Sequence, residues 1–413
     1  MKVLHICSIG VTAKVLLSPQ INYLQSRGLD VHIVCSSDEV AKALSQQGYT
    51  LHLINIDRKI APLGNLMSLV KLFQLMQREQ YDLVHVHTSI AAFLGRIAAK
   101  LAGVPRIVYT AHGYPFHDQL PRAKYWFYFG LEKCCASLTD LFLTQSYEDW
   151  VDSSRLRLCP ARKVRHLNNG VDSQRFSRER LDPKQQQMLR QSFHIPLEAG
   201  PIIGTIGRLT REKGFAYLIE AFAQLAAQFP QARLLIVGSE LKTDPDPFEA
   251  ELLQRSLALG IRDRIVFTGF RDDIPELLGL LDVFTLPTYF GEGLPRSILE
   301  AMAMGLPIVT TDIRGCREAV QPDVNGYIVP PRDSSQLADA LTKLLADPAL
   351  RQQFGRASRD RVEREYDERL VFQRLEQAYR DLGLVVAKQP TAEWVLSGAA
   401  VIAAENSMGY GGH

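Results

Sequence analysis

Two glutamates in one short stretch of the chain have a spacing that suggests chemistry. The stretch is TYFGEGLPRSILEAMAMGLPIVTTD, residues 288–312, and it places Glu292 and Glu300 eight positions apart. Pro295 suits the first turn of a helix, where its missing N–H has no intrahelical acceptor, and the later Gly-Leu-Pro is a stop signal. The sequence therefore predicts a helix over residues 295–304, with one carboxylate just before it and the other in its second turn.

The start of this predicted helix is a setting that favours an anion. Its first turn would present backbone N–H groups and the positive end of the helix dipole, and Gly291 and Gly293 leave room for a ligand. Helical side chains lean toward the N-terminus, so Glu300 would reach the same ligand. A carboxylate accepts from both hydroxyls of a ribose but repels a bare phosphate. These features predict a ligand with both phosphate and hydroxyl groups; the alternative is two ordinary surface glutamates.

A second loop supplies cations. In GTIGRLTREKGFAYLIEAF, Arg208 and Lys213 lie between a strand and a helix. Arginine presents a planar fork to phosphate oxygens and lysine a mobile point charge, so the pair suits a diphosphate without a metal. Arg211 and Glu212 in the same loop leave open the alternative that part of its charge is simple solvation. Gly238 ends another strand-like run, but the G-x-G-x-x-G fingerprint and the Walker lysine loop are both missing, which argues against dinucleotide dehydrogenases and P-loop enzymes.

Residues from the first half of the chain complete the candidate site. His112 follows the strand-like IVYTA, and at the end of a buried strand its imidazole can donate to a hydroxyl or stabilise developing charge. A purely structural role is the alternative. Gly10 follows the first strand and leaves backbone room for a ligand. His85 and His87 point to one face of a strand, and without a third ligand we predict no metal there.

The elements that must position these residues alternate short β-rich runs with longer amphipathic stretches. Seven such runs precede the polar segment LNNGVDSQRFSRERLDPKQQQ and six follow it, which predicts an α/β fold with two parallel sheets and a linker between them. Two facing, doubly wound, Rossmann-like domains would bring their strand carboxyl ends to one cleft. The expected divisions are residues 1–172 for the first domain, 173–362 for the second, 363–383 for a final helix and 384–413 for a tail without an assigned role.

Composition and local signals point to an ordinary globular protein rather than a secreted or membrane-spanning one. The chain is 46% hydrophobic and 22% charged with a formal net charge of +2, as in ordinary soluble proteins. Residues 1–175 carry 20 Lys/Arg against 13 Asp/Glu, which suits an anionic surface or acceptor, or simply a solvated face. The cysteines show no metal-binding spacing, and no secretory signal or membrane-spanning run is present. We expect a cytoplasmic protein without a nucleic-acid partner, with at most a peripheral contact at the inner face of the cytoplasmic membrane.

The combination of motifs resembles one enzyme family. The GEGLPRSILEAMAMGLPIV helix, the loop GRLTREKG and NNGVD at the linker are similar to the retaining glycosyltransferases of family 4, which have the GT-B fold. The stretch DLVHVHTSIAAFLGRIAAKLAGVPRIVYTAHGYPFH resembles members that build bacterial exopolysaccharide, capsule and O-antigen chains. The resemblance covers roughly residues 1–382, and the tail departs from it. It implies that the final helix, residues 366–382, crosses back to pack on the first domain.

The resemblance implies a role for each candidate residue. Arg208 and Lys213 would hold the donor diphosphate, Glu292 would contact the transferred sugar, and His112 would contact sugar hydroxyls near the reacting carbon. These four are the expected catalytic residues. The further residues expected to contact the nucleotide-sugar donor are Gly10, Gly238, Phe270, Gly293, Leu294 and Glu300.

The implied reaction is sugar transfer with retained anomeric configuration. The acceptor would attack on the face that the leaving group departs from, and the leaving phosphate would help to deprotonate it. No metal or other cofactor is expected, and the D-x-D at Asp244 and Asp246 is attributed to chance. Family habit favours a UDP-linked donor, with a GDP-mannose-dependent mannosyltransferase as an alternative. The sequence also leaves open a nucleotide-sugar 2-epimerase of the same fold and an inactive partner subunit.

The prediction about the acceptor depends on one aromatic segment. PRAKYWFYFGLEKCCASL, residues 121–138, combines Arg122 and Lys124 with a Tyr/Trp/Phe-rich helix. This segment is either an interfacial anchor for a sugar or polyprenyl-diphosphate-linked acceptor or a core helix of the first domain. The anchor agrees with the basic first half and with the lipid-linked substrates of the family.

Overall fold

The first half of the chain folds into a parallel sheet. The computed structural model describes residues 1–57, 62–116, 120–196, 200–240 and 247–385. Within these ranges seven strands form the first sheet in the order β3-β2-β1-β4-β5-β6-β7, and every pairing is parallel. The strands are β1 Lys2–Ile6, β2 Asp30–Cys35, β3 Thr50–Leu53, β4 Leu83–His87, β5 Ile107–Ala111, β6 Leu141–Thr144 and β7 Val164–His166.

The second half repeats this plan. Six strands in the described ranges form a second parallel sheet in the order β10-β9-β8-β11-β12-β13. They are β8 Ile202–Ile206, β9 Arg233–Val237, β10 Ile265–Phe267, β11 Val283–Leu286, β12 Ile308–Thr311 and β13 Gly326–Val329.

Helices cover both faces of each sheet. Their bounds are α1 Gly10–Thr12, α2 Ser18–Ser26, α3 Glu39–Gln46, α4 Pro62–Glu79, α5 Ser89–Leu101, α6 Arg122–Ala136, α7 Tyr147–Arg155, α8 Pro183–Ser192, α9 Phe215–Ala226, α10 Glu249–Ala258, α11 Ile274–Gly279, α12 Arg296–Ala303, α13 Cys316–Ala319, α14 Ser334–Ala346, α15 Pro348–Arg361 and α16 Glu368–Asp381. Two π-helical segments, Ala13–Leu17 and Val362–Tyr366, join α1 to α2 and follow α15.

The burial of the central strands shows that each sheet lies between two layers of helices. All five residues of β4 and all five of β5 are buried, as expected for a parallel sheet with helices on both faces. Each sheet separates two apolar clusters, one on each face. In each sheet the strand order reverses at one place, between β1 and β4 and between β8 and β11, where doubly wound sheets bind ligands. The prediction of two Rossmann-like α/β domains is confirmed.

The last helix returns to the first domain. Leu375 and Tyr379 of α16 are buried in the apolar cluster that also contains Leu17 and Leu24. Glu376 of the same helix accepts hydrogen bonds from Nε and Nη2 of Arg27, each at 3.0 Å. The chain therefore passes between the domains twice, out near residue 171 and back near residue 367, and the two passages pair through a β-bridge between Val171 and Asp367.

Two details of the sequence prediction were wrong. The predicted linker continues to residue 187, but α8 begins at Pro183, with Asp182 capping it. This helix was missed because Leu189 is its only buried residue, so it lacks an apolar period. The helix predicted from residue 295 begins one residue later, at Arg296, and Pro295 is its N-cap.

The structure describes little of the tail. Of residues 384–413, only 384 and 385 lie within the described ranges, so the predicted tail is otherwise outside them. Among the described helices, none combines the length and the apolar character needed to cross a bilayer.

Candidate active site

Two loops from different domains meet at the carboxyl ends of the sheets. His112 and Gly113 directly follow β5, and Gly293 lies between β11 and α12. A Cβ added to Gly113 would lie 2.9 Å from the Gly293 nitrogen, and one added to Gly293 would lie 2.3 Å from the His112 carbonyl oxygen. Gly113 also has φ +120°, a region that favours glycine. The two loops are thus in backbone contact that no larger residue permits.

The predicted cation and carboxylate form a pair at this contact. The ammonium of Lys213 makes a salt bridge to Oε1 of Glu292, and both side chains are mostly buried. The hydroxyl oxygen of Thr288 lies 3.3 Å from the same carboxylate oxygen, although the carbonyl oxygen of Glu212, at 2.9 Å, is the nearer acceptor for its proton. The stem of Lys213 passes over Gly207 at the end of β8. Residues that are 79 positions apart in the sequence therefore share one mouth of the cleft.

The three cations of the loop after β8 have different surroundings. Nη2 of Arg208 lies 3.9 Å from Oε1 of Glu212, and the Arg208 side chain is one-third exposed. Arg211 instead pairs with Glu251 at 2.6 Å and its guanidinium lies over the ring of Phe248. Arg211 is thus held by Glu251 and Phe248, whereas Lys213 contacts Glu292 at the mouth of the cleft.

Glu300 occupies the second turn of α12, as predicted. Burial raises the pKa of its carboxyl group, although Arg296 and Arg175 nearby oppose the shift. The closest cation is Nε of Arg296, 3.8 Å from Oε1. Nη1 of Arg296 donates to the carbonyl oxygen of Val15 in the first domain, at 2.7 Å. No side chain caps the start of α12, so its first-turn N–H groups have no side-chain acceptor at the cap position.

Gly10 and Gly238, both predicted to contact a donor, must be glycine for packing reasons that the sequence does not show. The Gly10 nitrogen donates to Oδ2 of Asp38 at 2.9 Å, and an added Cβ would lie 2.2 Å from Oδ1 of the same residue. Gly238 has φ +135°, and its Cβ would lie 2.0 Å from the Gly207 carbonyl oxygen. Contact of either glycine with a donor stays a prediction.

The other residues predicted to contact a donor lie at or near the same edge. Phe270 follows β10 and is 64% exposed. Two residues later, Asp272 lies 3.5 Å from the ammonium of Lys14 in the first domain. Leu294 has its side chain in the core of the second domain, and its carbonyl oxygen accepts from Asn169.

Both ring nitrogens of His112 are bound within the protein. Nδ1 lies 3.0 Å from Oε1 of Gln145, and Nε2 lies 3.1 Å from Nδ1 of His87. Burial lowers the pKa of His112 to about 4, so the ring is neutral at pH 7. A neutral imidazole can donate one hydrogen bond but is a poor proton source at pH 7, and a ligand would reach Nδ1 by sharing or replacing the Gln145 contact.

The sequence-based reason for excluding a metal at His85 and His87 was wrong. The third histidine is His5 of β1, which lies beside His85 in the sheet register. One ring nitrogen of each lies within 4.8 Å of the others. However, each of the six ring nitrogens has a hydrogen-bond partner in the protein. The D-x-D at residues 244–246 lies outside the described residues.

An ionic clamp, defined here as Arg314, Arg317 and Glu318, joins the second domain to α7 of the first. Arg314 donates to Asp149 at 2.7 Å, and the carboxylate of Glu318 accepts from the first backbone N–H groups of α7. Burial raises the pKa of Asp149 to about 7 in spite of Arg314. The clamp holds the two domains together beside the loop contact.

Several residues of this region were missed by the sequence analysis. Gln145, Asn169 and Arg296 each make a contact that belongs to tertiary structure rather than to a motif. The alternation of His85 and His87 was the one available signal for the buried histidines. His5 was missed because its partners lie 80 or more positions away.

The chain matches two family models. Residues 189–361 match the model described as Glycosyl transferases group 1, and residues 5–146 match the model described as Glycosyl transferase 4-like. Residues 189–361 lie in the half of the chain that forms the second sheet, and residues 5–146 lie in the half that forms the first sheet.

Three relatives of known name are each 28–30% identical to this chain. A UDP-Gal:alpha-D-GlcNAc-diphosphoundecaprenol alpha-1,3-galactosyltransferase of Escherichia coli is 29% identical over 79% of this chain and 83% of its own length. The capsular polysaccharide biosynthesis glycosyltransferase CapM of Staphylococcus aureus is 28% identical over 92% and 96%. A GDP-mannose-dependent alpha-(1-6)-phosphatidylinositol monomannoside mannosyltransferase of Mycobacterium tuberculosis is 30% identical over 68% and 72%.

A solved structure shows the same fold. The crystal structure of HepE from Anabaena, in complex with UDP, superposes with a TM-score of 0.76 at 23% identity and covers 92% of this chain and 100% of its own. Both halves of the molecule, their facing carboxyl edges and the returning α16 agree with these matches. The chain belongs to the group 1 glycosyltransferases and has the GT-B fold.

Proposed function

We propose that this glycosyltransferase moves a sugar from a UDP-linked donor to a lipid-linked or saccharide acceptor in cell-surface polysaccharide synthesis, with retained configuration and without a metal. The observation that carries the proposal is the contact of His112 and Gly113 with Gly293, beside the Lys213–Glu292 pair. This contact gives one site a neutral donor from the first domain and a cation–carboxylate pair from the second.

The second domain has the groups that a nucleoside diphosphate needs. The ammonium of Lys213 and the guanidinium of Arg208 come from the loop after β8, and α12 presents its N-terminus to the same mouth. Positive charge and oriented N–H groups stabilise a diphosphate most as it becomes a leaving group and gains charge. Lys213 would then exchange part of its contact with Glu292 for a phosphate oxygen.

The proposed step needs no residue that forms a covalent bond. The bond between the sugar carbon and the diphosphate oxygen breaks, and the acceptor oxygen bonds to that carbon on the same face. The acceptor proton passes to the leaving diphosphate. Glu292 would accept hydrogen bonds from sugar hydroxyls, and His112 would donate one.

The relatives support the substrate class. The Escherichia coli relative is named for UDP-galactose and a diphosphoundecaprenol acceptor, and the Staphylococcus aureus relative for capsular polysaccharide. The Mycobacterium tuberculosis relative is named for GDP-mannose, so a guanosine donor is the second candidate.

Helix α6 suits a membrane-bound acceptor. Its inner face buries Phe129 and Cys135, while Trp126 and Phe127 are each 59% exposed. The exposed Lys124 is on the same helix. The helix is therefore both a core helix and an apolar, basic surface, and we propose that this surface rests on the lipid that carries the acceptor.

The first prediction separates the cations of one loop. Lys213→Ala and Arg208→Ala should each lower transfer about a hundred- to a thousandfold, because each removes charge from the leaving diphosphate. Arg211→Ala is the matched control and should leave transfer unchanged, since Arg211 is held by Glu251 and Phe248. The measurement is steady-state transfer with the donor that gives the largest thermal shift in a panel of nucleoside diphosphates and nucleotide sugars.

Transfer by the unaltered chain is also measured in EDTA, where it should persist. Three results would contradict the proposal: near-normal turnover of both variants, a loss of activity in EDTA that only a divalent cation restores, and no stabilisation by any nucleotide in the thermal-shift panel. A larger shift with GDP and GDP-mannose than with UDP and UDP-sugars would replace the proposed donor by the second candidate.

The second prediction separates the two glutamates. Glu300→Gln should weaken binding of the nucleoside diphosphate, because the ribose that it would contact is present in product and donor alike. Glu292→Gln should lower kcat without weakening that binding, because its proposed partner is the sugar and its loss frees Lys213. Calorimetry with the nucleoside diphosphate and kinetics on the same samples make the comparison. Equal losses of nucleotide affinity in both variants would show that the two roles are misassigned.

The third prediction concerns the lipid surface. Burial of one large apolar side chain contributes about 1.5–3 kcal/mol, so the double variant Trp126→Ala/Phe127→Ala should bind vesicles at least about tenfold more weakly. Leu257→Ala is the control, because Leu257 is also exposed but lies on α10 of the second domain. Co-sedimentation with phosphatidylglycerol-containing vesicles measures the effect. Unchanged binding of the double variant would rule out α6 as the contact.

A further inference from the structure

Three buried histidines and the partly buried His112 form a continuous row of hydrogen bonds that leads from the core of the first domain to the cleft. We call His5, His85, His87 and His112 the histidine chain. Nδ1 of His5 lies 3.0 Å from Nε2 of His87, and Nδ1 of His87 lies 3.1 Å from Nε2 of His112. Tyr379 of α16 joins His85 to the row, with its hydroxyl 2.7 Å from Nδ1 of His85 and 3.3 Å from Nε2 of His5.

The cleft end of the row has only one possible direction of donation. The carbonyl oxygen of Leu294 can only accept, so the amide nitrogen of Asn169, 2.7 Å away, must face it. The Gly170 N–H donates to the other amide atom of Asn169 at 3.0 Å, which identifies that atom independently as the oxygen. This oxygen lies 3.3 Å from Nε2 of Gln145, so the Gln145 oxygen must face Nδ1 of His112.

The tautomers of the histidine chain follow from this end. Because Gln145 presents an oxygen, Nδ1 of His112 carries the proton and its Nε2 accepts from Nδ1 of His87. The same reasoning gives His87 and His5 a proton on Nδ1 and a lone pair on Nε2. Burial lowers the pKa of each of the four rings, so each carries a single proton.

The far end of the row agrees with this direction. The hydroxyl of Tyr379 donates to Nε2 of His5 and accepts from Nδ1 of His85. Nε2 of His85 then accepts from the hydroxyl of Thr110, 2.7 Å away. Every ring nitrogen of the histidine chain is thereby satisfied with one consistent orientation, from Thr110 to Leu294.

We propose that His87, backed by His5 and Tyr379, is a positioning residue that holds His112 in its Nδ1–H tautomer, with that proton directed toward Gln145 and the cleft. The proposal rests on the proposed role of His112 in transfer. A hydroxyl that shares or replaces the Gln145 contact would then always meet a donor. The row ends at Leu294 in the second domain, so it is complete only while the two domains are in contact.

The hydrogen bonds of the histidine chain are incompatible with a metal ion bound by the same rings. A metal bound by His5, His85 and His87 would use lone pairs that the row engages in hydrogen bonds. Metal occupancy and the tautomer lock are therefore mutually exclusive for these three residues, and one sample can test both.

The test is a long-range ¹H–¹⁵N spectrum of the full chain labelled with ¹⁵N-histidine, without substrate. It reports which nitrogen of each ring carries the proton. We expect the histidine chain in the Nδ1–H form, which is the minor form of a free imidazole, and no bound metal in elemental analysis of the same sample. An Nε2–H or doubly protonated His112, or a stoichiometric metal, would overturn the proposal.

A variant series then tests the effect on turnover. His87→Phe removes the donor to Nε2 of His112 but keeps a ring, so the Nδ1–H tautomer then depends on the Gln145 contact alone and is no longer held when a substrate hydroxyl replaces that contact. We expect kcat to fall about 10- to 100-fold, by analogy with the loss of outer partners that orient a metal-bound histidine, with KM for the donor nearly unchanged. His87→Asn places an amide nitrogen near the former Nδ1 and should recover most of the loss.

The control for the series is His52→Phe. His52 is also bonded to a histidine, with Nε2 3.0 Å from Nδ1 of His32, but the pair lies on β2 and β3 away from the cleft. Its kcat should stay at the wild-type value. A His87→Phe variant with normal kcat, or a His87→Asn variant no better than it, would overturn the positioning role. Absence of transfer in the unaltered chain with every donor would count against the proposed function, whereas the spectrum decides the tautomer by itself.

Discussion

The backbone contact between Gly113 and Gly293 is the constraint on which the rest of the site depends. Each glycine occupies space that a side chain on the other would need, so the loops meet at a distance that only glycine allows. Parallel sheets place the loops after their strands at one edge, and facing two such edges brings residues of different domains together. His112 and Glu292 share a site because of this contact, and neither sheet would create the site alone.

Electrostatics stabilises the contact around this point. Lys213 and Glu292 neutralise each other within the second domain, while the ionic clamp and the bond from Arg296 to Val15 connect the domains on either side. A buried charge without a partner is costly, so each of these groups favours the arrangement in which the domains touch. The diphosphate of a donor would meet cations that are already paired with carboxylates. On binding, it would compete with those carboxylates for the cations.

Much of this structure was predictable from local pattern. The thirteen runs that form strands are apolar and bounded by turn residues, and α12 is marked by Pro295 and by the glycine that follows it. Patterns of this kind are local, so a single sequence reveals them. The start of α8 was missed because a helix that buries only Leu189 has no apolar period to detect.

The pairings across the cleft were not predictable in the same way. The bonds from His5 to His87, from Asn169 to Leu294 and from Arg296 to Val15 each join residues that are 80 or more positions apart, and nothing in the neighbouring sequence specifies these pairings. The error over a third histidine near His85 and His87 has this cause, since the register of β1 against β4 brings His5 there. Residue types and spacing predicted a chemistry for each domain, but only the three-dimensional contacts show which groups are neutral, paired or shared.

The most direct test of the two-sided site compares binding and transfer in the His112→Ala variant. Calorimetry with the nucleoside diphosphate and a transfer assay are run on the same preparation. If the nucleotide is held by the second domain and His112 acts on the sugar, affinity should stay within about twofold while transfer falls about a hundred- to a thousandfold. A loss of nucleotide affinity as large as the loss of transfer, or transfer at the wild-type rate, would contradict this account.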